Sequence, residues 1–223
     1  LALICLVLIA SSLRPAASSL GPVLAEVQTA FGLAEWQTGL LTALPGLIFA
    51  VCGFIAVPLL RRVGLFTSLT IACVLIAGGI GARVLVDSWV AFAALTIAAL
   101  AGMSLGNVIL PVFVKTRFPH RAHLGATAFT VSLGLGAMFP ALLTAPLTEH
   151  FDDWRVGLGA WVLVPLTALA TWIVLRGLGS VPVFRTAGTD RSATPAPRRH
   201  IHTTAKARYM ALFFGLQSVN AYV

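Results

Sequence analysis

Long apolar runs, broken by short polar stretches, dominate this chain. Six of them are long enough to cross a bilayer, which takes about 20 predominantly apolar residues. They cover residues 1–24, 38–60, 66–86, 89–114, 124–148 and 156–178. A further run begins near residue 207 and stays apolar to Val223, too short to span; it reads as a seventh segment cut off part-way. Leu1 is not methionine and already lies inside an apolar run, so the chain reads as a fragment of a longer protein. The first run is not a cleaved signal, because it is too long and holds Arg14 at its centre.

The polar breaks alternate in sign. The first carries Glu26 and Glu35, the third Asp87, and the fifth Glu149, Asp152, Asp153 and Arg155. The second carries Arg61 and Arg62, and the fourth Lys115, Arg117 and Arg121. The break after the sixth run holds Arg176, Arg185, Arg191, Arg198, Arg199, Lys206 and Arg208 against Asp190 alone. Of the 15 Lys and Arg residues, only Arg14, Arg83 and Arg155 fall elsewhere. Basic loops stay on the cytoplasmic side, so the expectation is a cytoplasmic N-terminus with odd-numbered runs leading outward. Arg83 lies one turn from the outer end of its run and is expected to snorkel to the interface. The predicted organisation is a six-helix bundle over 1–178, a basic cytoplasmic linker over 179–206 rich in Thr, Ser, Pro and Gly, and the start of a seventh helix over 207–223.

Composition sharpens the class and excludes others. The chain is 58% hydrophobic and 10% charged, where a soluble domain carries about 25% charged residues. This is the composition of an all-α membrane protein. The net charge of +8 is sorted into loops with no aromatic interleaving, so nucleic acid is not the expected partner. Cys5, Cys52 and Cys73 all fall in apolar runs and show no disulfide or zinc spacing. His200 and His202 could bind a metal, but they sit in what reads as a solvated linker. A membrane-embedded enzyme needs convergent His, Cys, Asp or Glu at one depth. Here His120, His123 and His150 fall in the breaks, and no enzyme, metal or cofactor is expected.

The candidate chemistry is a set of deep polar residues. Arg14 and Pro15 interrupt the first run near its middle. A charge at that depth costs about 2.5–3.5 kcal/mol on insertion scales, so it must face protein or a water-filled cavity. Pro15 removes an N–H from the helix ladder and frees the carbonyl of Ser11. Ser11, Arg14 and Ser18, at i, i+3 and i+7, share one helical face. The alternative is a structural arginine paired with a carboxylate, but no Asp or Glu lies deep in any other run. The fourth run carries Asn107 with Pro111 nearby, and the incomplete seventh carries Gln217 and Asn220 on one face with Phe213 a turn earlier. Asn107 could equally serve as glue between helices. The glycine pairs Gly46 and Gly53, Gly78 and Gly79, and Gly134 and Gly136 suit close helix packing. Polar groups on the first helix of each three-helix unit suggest a repeat-built transporter with its site near the midplane.

Leu13-Arg14-Pro15-Ala16 resembles the NLRPA-type signature of the cyanate transporter branch (CynX/NimT) of the major facilitator superfamily. Gly39-Leu40-Leu41-Thr42-Ala43-Leu44-Pro45, Gly106-Asn107-Val108-Ile109-Leu110-Pro111 and Phe213-Phe214-Gly215-Leu216-Gln217-Ser218 are similar to further marks of that branch. Two features depart from it. Ser12 stands where the branch usually has Asn, and Leu60-Arg61-Arg62-Val63-Gly64 keeps the basic and glycine parts of the superfamily loop motif without its aspartate. The resemblance implies the six-helix N-terminal bundle of such a transporter, built as three plus three, with a truncated seventh helix. It implies alternating access for a small anionic or polar solute such as cyanate or a nitroimidazole. The substrate ligands would be Arg14, Ser11, Ser18, Asn107, Gln217 and Asn220. Such a protein is a multi-pass protein of a bacterial-type plasma membrane, its partners the solute and the lipid bilayer, and monomeric when full length. An exporter of drugs or amphipaths on the same fold is the alternative, and it would suit a pocket with more deep aromatics than these runs supply.

Overall fold

A computed structural model describes residues 2–177. They lie in a compact unit spanning Leu1–Phe184. The linker, the seventh run, Gln217 and Asn220 lie outside the described residues.

Every regular element among the described residues is helical. The first run is a chain of short pieces. α1 (Ala2–Ser12) ends, Leu13 and Arg14 intervene, and α2 (Pro15–Ser18) makes one turn. A 3-10 turn at Gly21–Val23 and α3 (Leu24–Phe31) complete the run. Pro15 opens α2 and Pro22 sits in the 3-10 turn. At the start of a helical piece a missing N–H costs nothing, and a proline inside one breaks the ladder. The prolines therefore restart the helix instead of continuing it.

α4 (Glu35–Arg83) is 49 residues long. At 1.5 Å per residue that is about 74 Å, more than twice the ~30 Å hydrocarbon core. The run divides at Gly64, whose φ of 80° and ψ of 169° are not helical. That region of backbone space is open essentially to glycine alone. Arms 35–63 and 65–83 are thus separate spans, and they match the second and third apolar runs. α5 (Trp89–Arg117), α6 (Ala122–Phe151), and α7 (Trp154–Gly159) continued through a 3-10 turn into α8 (Leu163–Gly177) give the fourth, fifth and sixth spans.

Contacts at the two ends of the bundle reproduce the loop pattern. At one end Phe31 of α3 packs on Phe92 of α5 (ring centroids 5.3 Å) and on Trp154 of α7 (5.8 Å). There Asp87 pairs with Arg155 at 2.5 Å. The breaks after the first, third and fifth spans therefore share a side. At the other end Trp172 of α8 stacks on Phe66 at 5.0 Å, meets Phe113 of α5 at 5.5 Å, and donates its Nε1 to Thr70 at 3.1 Å. Phe66 follows the Arg61–Arg62 break closely, and Phe113 precedes Lys115, so the basic breaks share the opposite side.

The core is built by the first span, arm 65–83 and α5. Leu6, Ile9, Leu13, Leu69, Ile76, Ile80, Leu100 and Met103 are among its fully buried side chains. Arm 35–63 and α6 present large apolar side chains outward, Phe54 and Leu142 among them. Apolar surface of that extent suits lipid or another membrane-embedded partner. In lipid, spans are held by close van der Waals packing, which small residues permit. A Cβ on Gly79 would lie 2.6 Å from the Leu95 carbonyl, and one on Gly102 2.6 Å from the Ala72 carbonyl. One on Gly136 would run into the Ser11 backbone. The glycine pairs of the sequence therefore divide. Gly79 and Gly136 are contact points, whereas Gly46, Gly53, Gly78 and Gly134 have nothing within 4 Å.

Candidate functional site

The break at Leu13–Arg14 separates residues that a straight helix would align. Arg14 caps α2 with φ −108° and ψ −29°, and its side chain is half-buried. Its carbonyl accepts from the backbone N–H groups of Ala17 and Ser18, and also from the Ser18 hydroxyl at 3.0 Å. Ser18 is thus engaged with the arginine's own backbone. Ser11, at the end of α1, faces elsewhere. With Pro15 it lines a cavity of about 150 Å³ whose other walls include Leu135, Phe139 and Pro140 of α6 and Trp161. The cavity is mostly apolar, and Trp161 Nε1 donates to Thr144 at 2.8 Å beside it. Ser12 is fully buried, and its hydroxyl donates to the Ile9 carbonyl at 2.7 Å.

Asn107 stands on α5, half-buried, and its Nδ2 donates to the Met103 carbonyl at 3.0 Å. Its neighbour Gly106 receives Leu13: a Cβ there would collide with the leucine's Cδ2. This contact sets the Arg14 break and Asn107, each one residue further along, at one level of the bundle. The structure thus brings the break that carries Arg14 against the span that carries Asn107. Ser11 points to a neighbouring crevice. Lys115 and Arg117 occupy the last turn of α5, where cations complement the helix dipole. His123 and His150 lie in the first and last turns of α6 and not in loops.

Arg83 overturns its expectation. It is fully buried and does not snorkel. Its Nη1 donates to the Ala16 carbonyl at 3.1 Å and its Nη2 to the Ser19 hydroxyl oxygen at 3.0 Å. The Ser19 hydroxyl in turn donates to the Pro15 carbonyl at 2.6 Å. The physical reason is the broken turn. A helix that stops leaves its last carbonyls without intrahelical donors, and a basic side chain from outside can satisfy them. Position near a run's end suggested snorkelling; no signal in the sequence tells that the first span bends within reach.

No protein-family model matches the chain. The chain is 31% identical over 98% of its length to a 2-nitroimidazole transporter of Escherichia coli (strain K12), covering 54% of that protein. It is 29% identical over 96% of its length to the cyanate transport protein CynX of the same organism, covering 54% of it. With an uncharacterized transporter, YycB, of Bacillus subtilis (strain 168), it shares 28% identity over 96% of its length and 51% of that protein. Among solved structures, a crystal structure of the peptide transporter POT in complex with sulfate superposes with a TM-score of 0.68. That match covers 97% of this chain and 44% of the other at 18% identity, a likeness of fold. The chain spans about half the length of the curated relatives it matches. The resemblance read from its motifs agrees with these findings: its relatives are named as transporters, not enzymes, its bundle shares the fold of the solved peptide transporter, and its long apolar helices are those of a multi-pass membrane protein.

Proposed function

We propose that this relative of the nitroimidazole and cyanate transporters forms the six-helix N-terminal bundle of a secondary transporter. It moves a small anionic or strongly polar solute across the plasma membrane by alternating access. Arg14 supplies the fixed charge that meets the solute, and Asn107 supplies neutral hydrogen-bonding capacity beside it. Gln217 and Asn220 contribute from the seventh helix, and Ser11 and Ser18 shape the surroundings. The full-length protein works as a monomer with its N-terminus and basic linker in the cytoplasm.

One observation carries this reading. Leu13 seats on Gly106, so the helix break that bears Arg14 lies against the span that bears Asn107. A half-buried guanidinium at a break in a span has the features of a substrate ligand: it is costly to keep in lipid, and it is held where the helix does not close on itself. Its planar fork can meet a carboxylate-like or linear anion through two donors at once.

The test is counterflow in proteoliposomes holding the full-length protein, across labelled cyanate, 2-nitroimidazole and other small polar solutes. Arg14→Ala should abolish saturable uptake while the protein still inserts and runs as a single species on size exclusion. Wild-type affinity in Arg14→Ala at normal expression refutes the assignment.

A further inference from the structure

We propose that Arg83 is a positioning residue: it clamps the broken turn that follows Arg14 and so fixes where Arg14 is presented. This rests on the reading of Arg14 as a substrate ligand, but it is a separate claim about how that residue is held.

α2 has four residues. A single turn is far below the length at which a helix holds itself together. Pro15 severs it from α1, since it has no N–H to join the ladder of the preceding turn. The backbone position from which Arg14 projects therefore depends on what grips the turn from outside. The apolar grip is Leu13 on Gly106, through the end of a flexible side chain. The polar grip is Arg83, which reaches across from the third span with two donors. One bonds the Ala16 carbonyl directly. The other bonds Ser19 Oγ, whose own proton goes to the Pro15 carbonyl, so the second arm closes on the residue next to Arg14.

The energetics favour a rigid clamp. Arg83 is fully buried, no carboxylate among the described residues pairs with it, and its Nε has no hydrogen-bond partner. A buried charge held only by neutral oxygens is costly unless each of those bonds is kept. Movement of the turn away from Arg83 would leave the guanidinium without acceptors. The charge thus resists displacement of the turn more strongly than a neutral donor would.

The test uses the full-length protein with Cys5, Cys52 and Cys73 each replaced by alanine, and Arg14→Cys as the reporter. The rate at which a methanethiosulfonate reagent modifies the reporter is compared with and without Arg83→Gln. The expected result is a several-fold change in rate, absent when Arg83→Gln is replaced by Gly64→Ala, which perturbs the fold elsewhere. In protein retaining Arg14, Arg83→Gln should raise the KM for labelled cyanate or 2-nitroimidazole by roughly tenfold, with a much smaller change in maximal rate. An unchanged modification rate in a folded Arg83→Gln protein overturns the proposal. If Arg83→Gln does not fold, Ser19→Ala removes only the second arm, and an unchanged rate there overturns it equally. A changed rate with an unchanged KM leaves the clamp standing and sinks the substrate role of Arg14 instead.

Discussion

A methyl group added at Gly136 probes the joint between the first and fifth spans most directly. The new Cβ would collide with the carbonyl oxygen of Ser11 and approach its C and Cα at 2.9 Å. These are backbone atoms, so no rotamer change relieves the contact; a whole span must move. Overpacking of this kind costs about 1–3 kcal/mol. The substitution also brings a helix-propensity gain of about 1 kcal/mol. Gly134→Ala separates the two terms. It lies two residues away on the same helix, receives the same gain, and meets nothing within 4 Å. The difference between the two variants therefore isolates the steric cost, about 1–3 kcal/mol with Gly136→Ala the weaker. Gly106→Ala should fall between them, because the end of the Leu13 side chain can rotate away. The assay is reversible unfolding of the full-length protein in mixed micelles, with the three variants measured side by side. Equal stability of Gly136→Ala and Gly134→Ala would show that these spans do not meet at Ser11.

Three further outcomes are expected. Gly64→Ala should destabilise by about 1–3 kcal/mol, because its φ of 80° with ψ of 169° disfavours any side chain, while Gly46→Ala, helical and open like Gly134, should stabilise by up to about 1 kcal/mol; the same unfolding assay reads both. Arg14→Lys should recover only part of the uptake lost in Arg14→Ala, since a point charge cannot reproduce a planar fork, and the full loss should be at least about 2 kcal/mol in apparent binding. An impermeant thiol reagent added to intact cells should label Asp152→Cys and spare Thr194→Cys, as the positive-inside rule requires, and the reverse pattern would invert the topology.

Hydropathy and charge along the chain determined a good deal by themselves. The spans follow from the length of apolar runs, because lipid offers the backbone no partner and each crossing must close its own hydrogen bonds. Gly64 confirms this: the helical path runs on through 49 residues, yet the two apolar runs on either side correctly marked two spans. The sharing of sides among the loops also follows, since alternation is forced once the spans are counted. The break at Arg14-Pro15 was visible because proline acts on its own helix.

What the sequence left open is every question about which face meets which. The i, i+3, i+7 stripe of Ser11, Arg14 and Ser18 assumed a straight helix, whereas the helix ends after Ser12 and restarts at Pro15, and Ser11 lines a crevice with α6 and Trp161. Gly134 and Gly136 are alike in a string of letters, but only Gly136 lies at a crossing point. Arg83 differs most from its reading. A charge near a span's end ordinarily reaches water, and here it turns inward because a broken helix offers it a carbonyl 67 residues away in sequence and a hydroxyl 64 residues away. Periodicity and composition are properties of one segment, whereas packing and the pairing of orphaned polar groups are properties of two, and only the tertiary structure brings the two together.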